Sequence, residues 1–363
     1  MQKKKIVCTK PCVNCTFPKK RRKQWTNPKH GKLPLLIFAS RLYNAGCPYI
    51  TDGVELATML KPLFFLLALF IVFCPGLSAW AALPRSDVLY DGDSLYHHIR
   101  VTETGGYRYL SFDRTRGSQS ATNIKDPYEL KFPYTRAMFL SLAFLDRLPE
   151  QVLFVGLGGG SMPKVMGKNL PDVRMDIAEI DADVVKVAKR FFFYEPTEKT
   201  RVFIQDGRQF LRRNQNQYDI IFLDAYNNDA VPFHLTTKEF FEIVKQRLKP
   251  DGIAVANVWG PRSNEFYTSQ VKTYQTVFTK LFLLDAITSN NYIFIATANN
   301  QEMTQMELNR RAGILKEKVP FPFSIREFVR TFEDLTTMEV NADVLLDDFA
   351  PVELLRSRRT DTN

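Results

Sequence analysis

Four apolar segments, each ending in glycine or a carboxylate, follow one another between residues 153 and 224. They are Leu153 to Gly160 (LFVGLGGG), Ala178 to Asp181 (AEID), Gln205 to Gly207 (QDG) and Ile220 to Asp224 (IIFLD). The spacing leaves room for one helix between successive segments, which constrains the chain to parallel strands joined by helical crossovers. Strands are expected over 151–156, 173–180, 201–205, 218–224 and 252–258, with helices near 161–170, 182–190, 207–213 and 237–248. The result is an α/β fold built on a doubly wound, mostly parallel sheet. A helix near 263–280 and two apolar runs, Leu281 to Ala286 and Tyr292 to Ala296, are expected to close the sheet with an antiparallel pair.

Ahead of this region, residues 86–125 read as a small β leader. Leu95 to Val101 forms one arm of a hairpin, Gly105 and Gly106 the turn, and Tyr107 to Phe112 the return. Met138, Leu142 and Leu145 recur at helical spacing, so one helix is expected from Pro133 to Leu148, stopped by Pro149. The sheet domain is placed at 133–300. A C-terminal tail at 301–363 is expected to begin with a polar helix near 302–318 and to end in the segment Leu345 to Leu355 (LLDDFAPVELL).

The net charge of +10 suggests a nucleic-acid partner until it is mapped. Residues 1–58 carry 12 of the 49 Lys and Arg but only Asp52 and Glu55 of the 39 acidic residues, leaving 37 of each sign from Met59 onward. The globular part is thus neutral and lacks the basic footprint of a nucleic-acid binder. All five cysteines lie before residue 82. Cys8, Cys12 and Cys15 have the spacing of half a zinc site, but no second pair of Cys or His stands at a ligand spacing, so no metal is expected.

Met59 to Lys61, the apolar run Pro62 to Phe73, and an Ala79-Trp80-Ala81 end make up the three parts of a secretory signal peptide at 59–82. On that reading residues 1–58 are an extension upstream of the true start, and the globular domain is exported or envelope-associated, periplasmic if cleaved near Ala81. Taken from Met1, the same run reads as a membrane anchor with its basic arm held in the cytoplasm. A third reading, an apolar helix docked on the protein's own core, would leave the protein cytoplasmic.

In an open parallel sheet a ligand sits beyond the carboxyl ends of the strands, where helix N-termini present free N–H groups. Gly156, Gly158, Gly159 and Gly160 occupy the first such turn. Glu179 follows Gly158 by 21 residues, an offset at which a carboxylate accepts from the two vicinal hydroxyls of a ribose. Asp181 reads as the N-cap of the next helix. Asp206, with Gly207, ends the third strand and is either an N-cap or an acceptor for an adenine amino group. Asp224 opens a loop with no helix start for several residues, so capping explains it poorly and a substrate explains it better. A dinucleotide site would need Gly or Ala at the end of Gly-x-Gly-x-x-Gly, where Ser161 stands, which argues against NAD.

As a set, these motifs resemble the spermidine synthase (polyamine aminopropyltransferase) family, whose fold is the Rossmann-like class I methyltransferase fold. The resemblance runs over Val152 to Gly160, Glu179 to Val185, Arg201 to Arg208, Tyr218 to Asp224, Pro232 with Leu235 to Phe241, and the tail Leu346 to Glu353. It implies transfer of an aminopropyl group from decarboxylated S-adenosylmethionine to a small-molecule amine. Asp224 would be the catalytic carboxylate, Glu179 would hold the ribose and Asp206 the adenine, with Gln119 and Pro232 also beside the nucleoside and Tyr134 near the amine. Intact S-adenosylmethionine as a methyl donor, and a non-catalytic binding protein with the same fold, are the alternatives.

Two departures concern the amine. Ser161 follows the triple glycine where the family has Asp, and Asn227 stands where the family has a second loop Asp. Both residues belong to the expected amine site, and putrescine is doubtful as the acceptor. Asp229, Asp347 and Asp348 are the candidates to replace the missing charge. Phe191 to Tyr194 reads as core or as a homodimer surface, and His97, His98 and His234 have no partner at a catalytic or metal spacing.

Overall fold

The computed structural model describes residues 86–112, 117–226 and 231–348. The segment at 59–82 expected to be a signal or anchor, the extension before it, Asn227, Asp229 and the tail beyond Asp348 lie outside the described residues. Among the described residues, no helix is long and apolar enough to cross a membrane.

Two sheets are present. The first is antiparallel, with strands β1 (Asp87–Asp93), β2 (His98–Thr104), β3 (Tyr107–Ser111) and β4 (Ser120–Asn123) paired in chain order. It is a four-stranded leader rather than a single hairpin. The expected first arm begins too early, because Leu95 is 86% exposed and the strand starts at His98. Ile99, Val101, Leu110 and Phe112 point to one face and pack against Val184, Val187 and Phe192 of the following domain.

The second sheet has eight strands in the order β12-β10-β11-β9-β8-β5-β6-β7. Its parallel part consists of β5 (Gln151–Val155), β6 (Arg174–Glu179), β7 (Thr200–Ile204), β8 (Tyr218–Leu223) and the longer β9 (Leu248–Trp259). β10 (Lys280–Asp285), β11 (Asn291–Thr297) and β12 (Phe332–Asp334) add antiparallel. Strands buried on both faces read as continuous apolar runs, because alternate side chains feed two cores. Val152, Phe154, Ile220 and Phe222 face one layer with α1 (Pro133–Leu140), α2 (Ser161–Asn169) and α7 (Gln305–Lys318). Leu153, Val155 and Ile221 face the other with α4 (Gly207–Arg213), α5 (Lys238–Gln246) and α6 (Tyr267–Val277). The helix α3 (Ala182–Phe191) carries the leader sheet.

Two boundaries differ from expectation for local reasons. The helix from Pro133 ends at Leu140 and tightens into a 3-10 turn over Ser141–Phe144, because the Ser141 hydroxyl donates back to the Met138 carbonyl at 2.5 Å; Leu145 is then extended. Residues 301–348 do not form a separate tail. Leu308, Ala312 and Leu315 of α7 are buried in the first core, and β12 pairs with β10.

Chain order reverses between β5 and β8, since the chain leaves β5 for β6 and β7 on one side and returns to β8 and β9 on the other. A crevice opens at such a reversal, beyond the carboxyl ends of both strands.

Candidate active site

The crevice is a cavity of about 420 Å³ lined by the turn after β5, the tips of β6 to β9 and the edge of the leader. Gly156 ends β5 at φ 98°, and a Cβ there would stand 2.5 Å from the backbone oxygen of Asp224. Only glycine lets the two strand ends meet so closely. Gly158 and Gly207 also line the cavity. Gly159 and Gly160 are not lining residues: a Cβ on Gly159 would meet Ser120 Oγ at 2.6 Å, and one on Gly160 would meet the Tyr194 ring at 2.5 Å. These two glycines seat the turn against the leader and the Tyr194 side chain.

Glu179, at the tip of β6, is 6% exposed. One of its oxygens accepts from the Leu157 N–H at 2.9 Å and the other from the Asp181 N–H at 3.0 Å, so the carboxylate is fixed at the rim of the glycine turn. Burial raises its pKa, and the two backbone bonds oppose that without cancelling it. Asp206 is the N-cap the sequence allowed, and it also has a partner the sequence did not show. It caps α4 by accepting from the Gln209 N–H at 2.9 Å, and its other oxygen meets His234 Nε2 at 2.8 Å. Burial opposes its ionisation, but the His234 and backbone bonds prevail and its pKa lies below the ordinary value.

Asp224 follows β8 with its carboxylate held from two sides. Asn257 Nδ2 donates to Oδ1 at 2.9 Å, and the Tyr134 hydroxyl reaches Oδ2 at 3.4 Å. The Asn257 amide is itself oriented, because its Oδ1 accepts from Asn291 Nδ2 at 2.9 Å and thereby turns the NH2 toward Asp224. Tyr226, which bonds the Asn257 carbonyl at 2.7 Å, stacks on Trp259 with centroids 5.3 Å apart. Burial pushes the Asp224 carboxyl above its usual range, and the Asn257 and Tyr134 bonds pull it back only in part. Burial, then the charge of Asp224, lifts Tyr134 well above a normal phenol, so its proton stays available to donate. The site therefore contains a carboxylate with a raised pKa, facing a cavity and aligned by two donors. Such a group is equipped to take a proton.

Gln119, Pro232, Tyr134 and Ser161 all line the same cavity. The Ser161 hydroxyl lies 3.3 Å from the Ala121 carbonyl of the leader. Asp347 and Asp348 do not line it. The Asp347 carboxylate is occupied by a bidentate pair with Arg208, one bond at 2.7 Å, and accepts from Thr237 Oγ1 at 2.7 Å, which ties the tail to α4 and α5. Asp347 is thus a clasp, and no described carboxylate stands in for the ones missing at Ser161 and Asn227.

Several partnerships around the site escape a reading of the sequence. His97 lines the cavity, stacks on Phe112 at 4.1 Å and meets the Asp181 carboxylate at 3.1 Å. Asp181 is the N-cap of α3 as expected, but its second oxygen serves His97 and Ser94. His98 lies between Asp91 and Asp93 in the leader. Asn257 had a signal: it is the polar residue in the otherwise apolar run Ile253 to Trp259.

An open, mostly parallel sheet with a glycine turn, Glu179, Asp206 and Asp224 at successive strand tips defines a Rossmann-like transferase of the class I methyltransferase fold. The chain belongs to the polyamine aminopropyltransferase (spermidine synthase) family. A Spermine/spermidine synthase domain profile matches residues 131–306. The polyamine aminopropyltransferase of Vibrio vulnificus (strain CMCP6) is 33% identical over 302 residues, covering 79% of this chain and 97% of that protein. The fold matches a probable spermidine synthase from Corynebacterium glutamicum with a TM-score of 0.57 and 18% identity, over 72% of this chain and 97% of that one. It also matches a spermidine synthase in complex with the transition state analogue AdoDATO, with a TM-score of 0.50 and 20% identity, over 64% and 87%.

Proposed function

We propose that this transferase moves the 3-aminopropyl group of decarboxylated S-adenosylmethionine to an amine acceptor, and that Asp224 is its base. The reading rests above all on Asp224, a carboxylate aligned by Asn257 and Tyr134 and facing the cavity whose other wall carries Glu179 and Asp206. An ammonium has no lone pair with which to attack, so Asp224 first accepts its proton. The amine nitrogen then bonds to the aminopropyl carbon attached to sulfur, the C–S bond breaks, and its electron pair leaves with methylthioadenosine. The sulfonium is already a good leaving group, so holding nitrogen, carbon and sulfur in line provides most of the acceleration. Glu179 accepts from the ribose hydroxyls, Asp206 receives the adenine amino group, and the turn from Gly156 to Gly158 passes beneath the nucleoside.

The test is turnover by purified protein given decarboxylated or intact S-adenosylmethionine with a panel of amines. Methylthioadenosine release is expected. S-adenosylhomocysteine would mark a methyltransferase, and no binding of either nucleoside would mark a non-catalytic relative. Export of the domain is proposed as well, on the charged start, apolar run and Ala-Trp-Ala end at 59–82. Mass spectrometry of the native N-terminus should find a start near Ala82, and an intact basic arm would refute export.

A further inference from the structure

Asp206 follows β7 and His234 follows β8, two strands that stand three places apart in the sheet with β5 and β6 between them. At roughly 4.8 Å per place, their tips are about 14 Å apart. The 2.8 Å contact between His234 Nε2 and Asp206 Oδ2 therefore joins loops from widely separated strands, and both residues line the cavity. An ionised carboxylate can only accept, so Nε2 carries the hydrogen. The other oxygen, Oδ1, accepts from the Gln209 N–H at 2.9 Å. That bond alone leaves the carboxylate free to turn about it; the second, from His234, fixes its plane. Each oxygen keeps a further lone pair, so an adenine amino group meets an acceptor whose direction is set before it arrives.

His234 is held in turn. Its ring is about half exposed, so packing alone does not fix it, but its backbone carbonyl accepts from Arg208 Nη1 at 3.1 Å. Arg208 is clamped by both oxygens of Asp347, and Asp347 Oδ1 also takes the Thr237 hydroxyl at 2.7 Å. The tail is anchored just before this clamp: Leu345 is buried, its N–H donates to Thr273 Oγ1 at 3.0 Å, and its carbonyl accepts from the Lys238 N–H at 2.8 Å. The charge of Asp206 acts on Arg208 as well. Released from Asp347, the guanidinium would compete with adenine for that carboxylate.

We infer that His234 is a positioning residue of the nucleoside site, fixing Asp206 for the adenine amino group, and that the tail reaches the same site through Asp347, which holds Arg208 on the His234 backbone and off Asp206. This rests on the adenine role proposed above for Asp206 and deepens it.

The test compares two nucleosides by calorimetric Kd on the full-length protein: 5′-methylthioadenosine, and 5′-methylthioinosine, which has a carbonyl where adenine has its amino group. The unsubstituted protein should prefer methylthioadenosine by about tenfold or more, because the inosine carbonyl faces a carboxylate that can only accept. His234→Ala should shrink that preference about threefold to tenfold, the net worth of one hydrogen bond, and His234→Gln, which returns an N–H donor, should restore it to within about twofold. Asp347→Asn should shrink it about threefold through Arg208. In turnover the loss should fall on the KM for decarboxylated S-adenosylmethionine, with kcat and the amine KM moved by less than about twofold. An unmoved preference in either His234→Ala or Asp347→Asn overturns the inference and leaves aminopropyl transfer standing. So does tighter methylthioadenosine binding in His234→Ala, which would make His234 a competitor of adenine, and so does a His234→Gln no better than His234→Ala. If the unsubstituted protein does not distinguish the two nucleosides, the adenine role of Asp206 falls and this inference falls with it.

Discussion

Replacing Asn257 with leucine tests whether Asp224 is the base. The side chains have similar shape, and the site is almost fully enclosed, with Asn257 4% exposed. The substitution removes the 2.9 Å bond to Asp224 and leaves intact the backbone carbonyl that Tyr226 uses. Hydrogen bonds to charged groups are worth about 1.5 to 3 kcal/mol, and one pKa unit corresponds to about 1.4 kcal/mol, so the Asp224 pKa should rise by roughly one to two further units. Because that bond favours the ionised form, its loss moves the titration upward. The acid limb of kcat/KM for the amine reports the essential base of the free enzyme, so the whole limb should move to higher pH by that amount. Tyr134→Phe should move it in the same direction but less, since a 3.4 Å bond is long and weak. An acid limb unmoved by Asn257→Leu, while turnover persists, would assign the proton transfer to another group and refute the reasoning.

Asp224→Asn should abolish methylthioadenosine release and raise the Tm near neutral pH. The folded-state pKa of Asp224 is raised by burial, so the ionised carboxylate destabilises the fold as pH rises from its unfolded value, and the gain should vanish below about pH 4. Glu179→Gln places an NH2 against a backbone N–H that now donates to Glu179, and should cost about 1 to 3 kcal/mol in denaturant unfolding as well as weaken nucleoside binding by calorimetry. Gly156→Ala, with its Cβ 2.5 Å from the Asp224 carbonyl oxygen and φ at 98°, should cost about 1 to 3 kcal/mol of stability and lower kcat/KM by displacing Asp224. Asp347→Asn should lower stability by about 1 kcal/mol, a partly exposed ion pair's worth, while leaving the acceptor KM unchanged; a raised KM would return Asp347 to the amine site.

How much of this was legible in the sequence depends on the kind of signal. The parallel strands could be read because both faces of the sheet are covered, so Leu153 to Val155 and Ile220 to Phe222 appear as unbroken apolar runs. The carboxylates could be read because each stands where a strand stops, and a charged residue at that place needs a reason. The leader was only partly legible. β1 is largely exposed and β4 has four residues, so neither has the alternation that a half-buried strand shows.

What the sequence hides is partnership across the fold. His97 and Asp181 are 84 residues apart, His234 and Asp206 are 28 apart, and Asp224 and Asn257 are 33 apart. No local spacing rule joins such pairs; the crossover topology does, by setting strand tips side by side. The same limit misplaced Asp347. Its position in an acidic tail suggested compensation for Ser161 and Asn227, yet Arg208 and Thr237 claim it first. A carboxylate held by a guanidinium and a hydroxyl has little affinity left for a substrate ammonium, so Asp347 does not restore the charge the family keeps at this site.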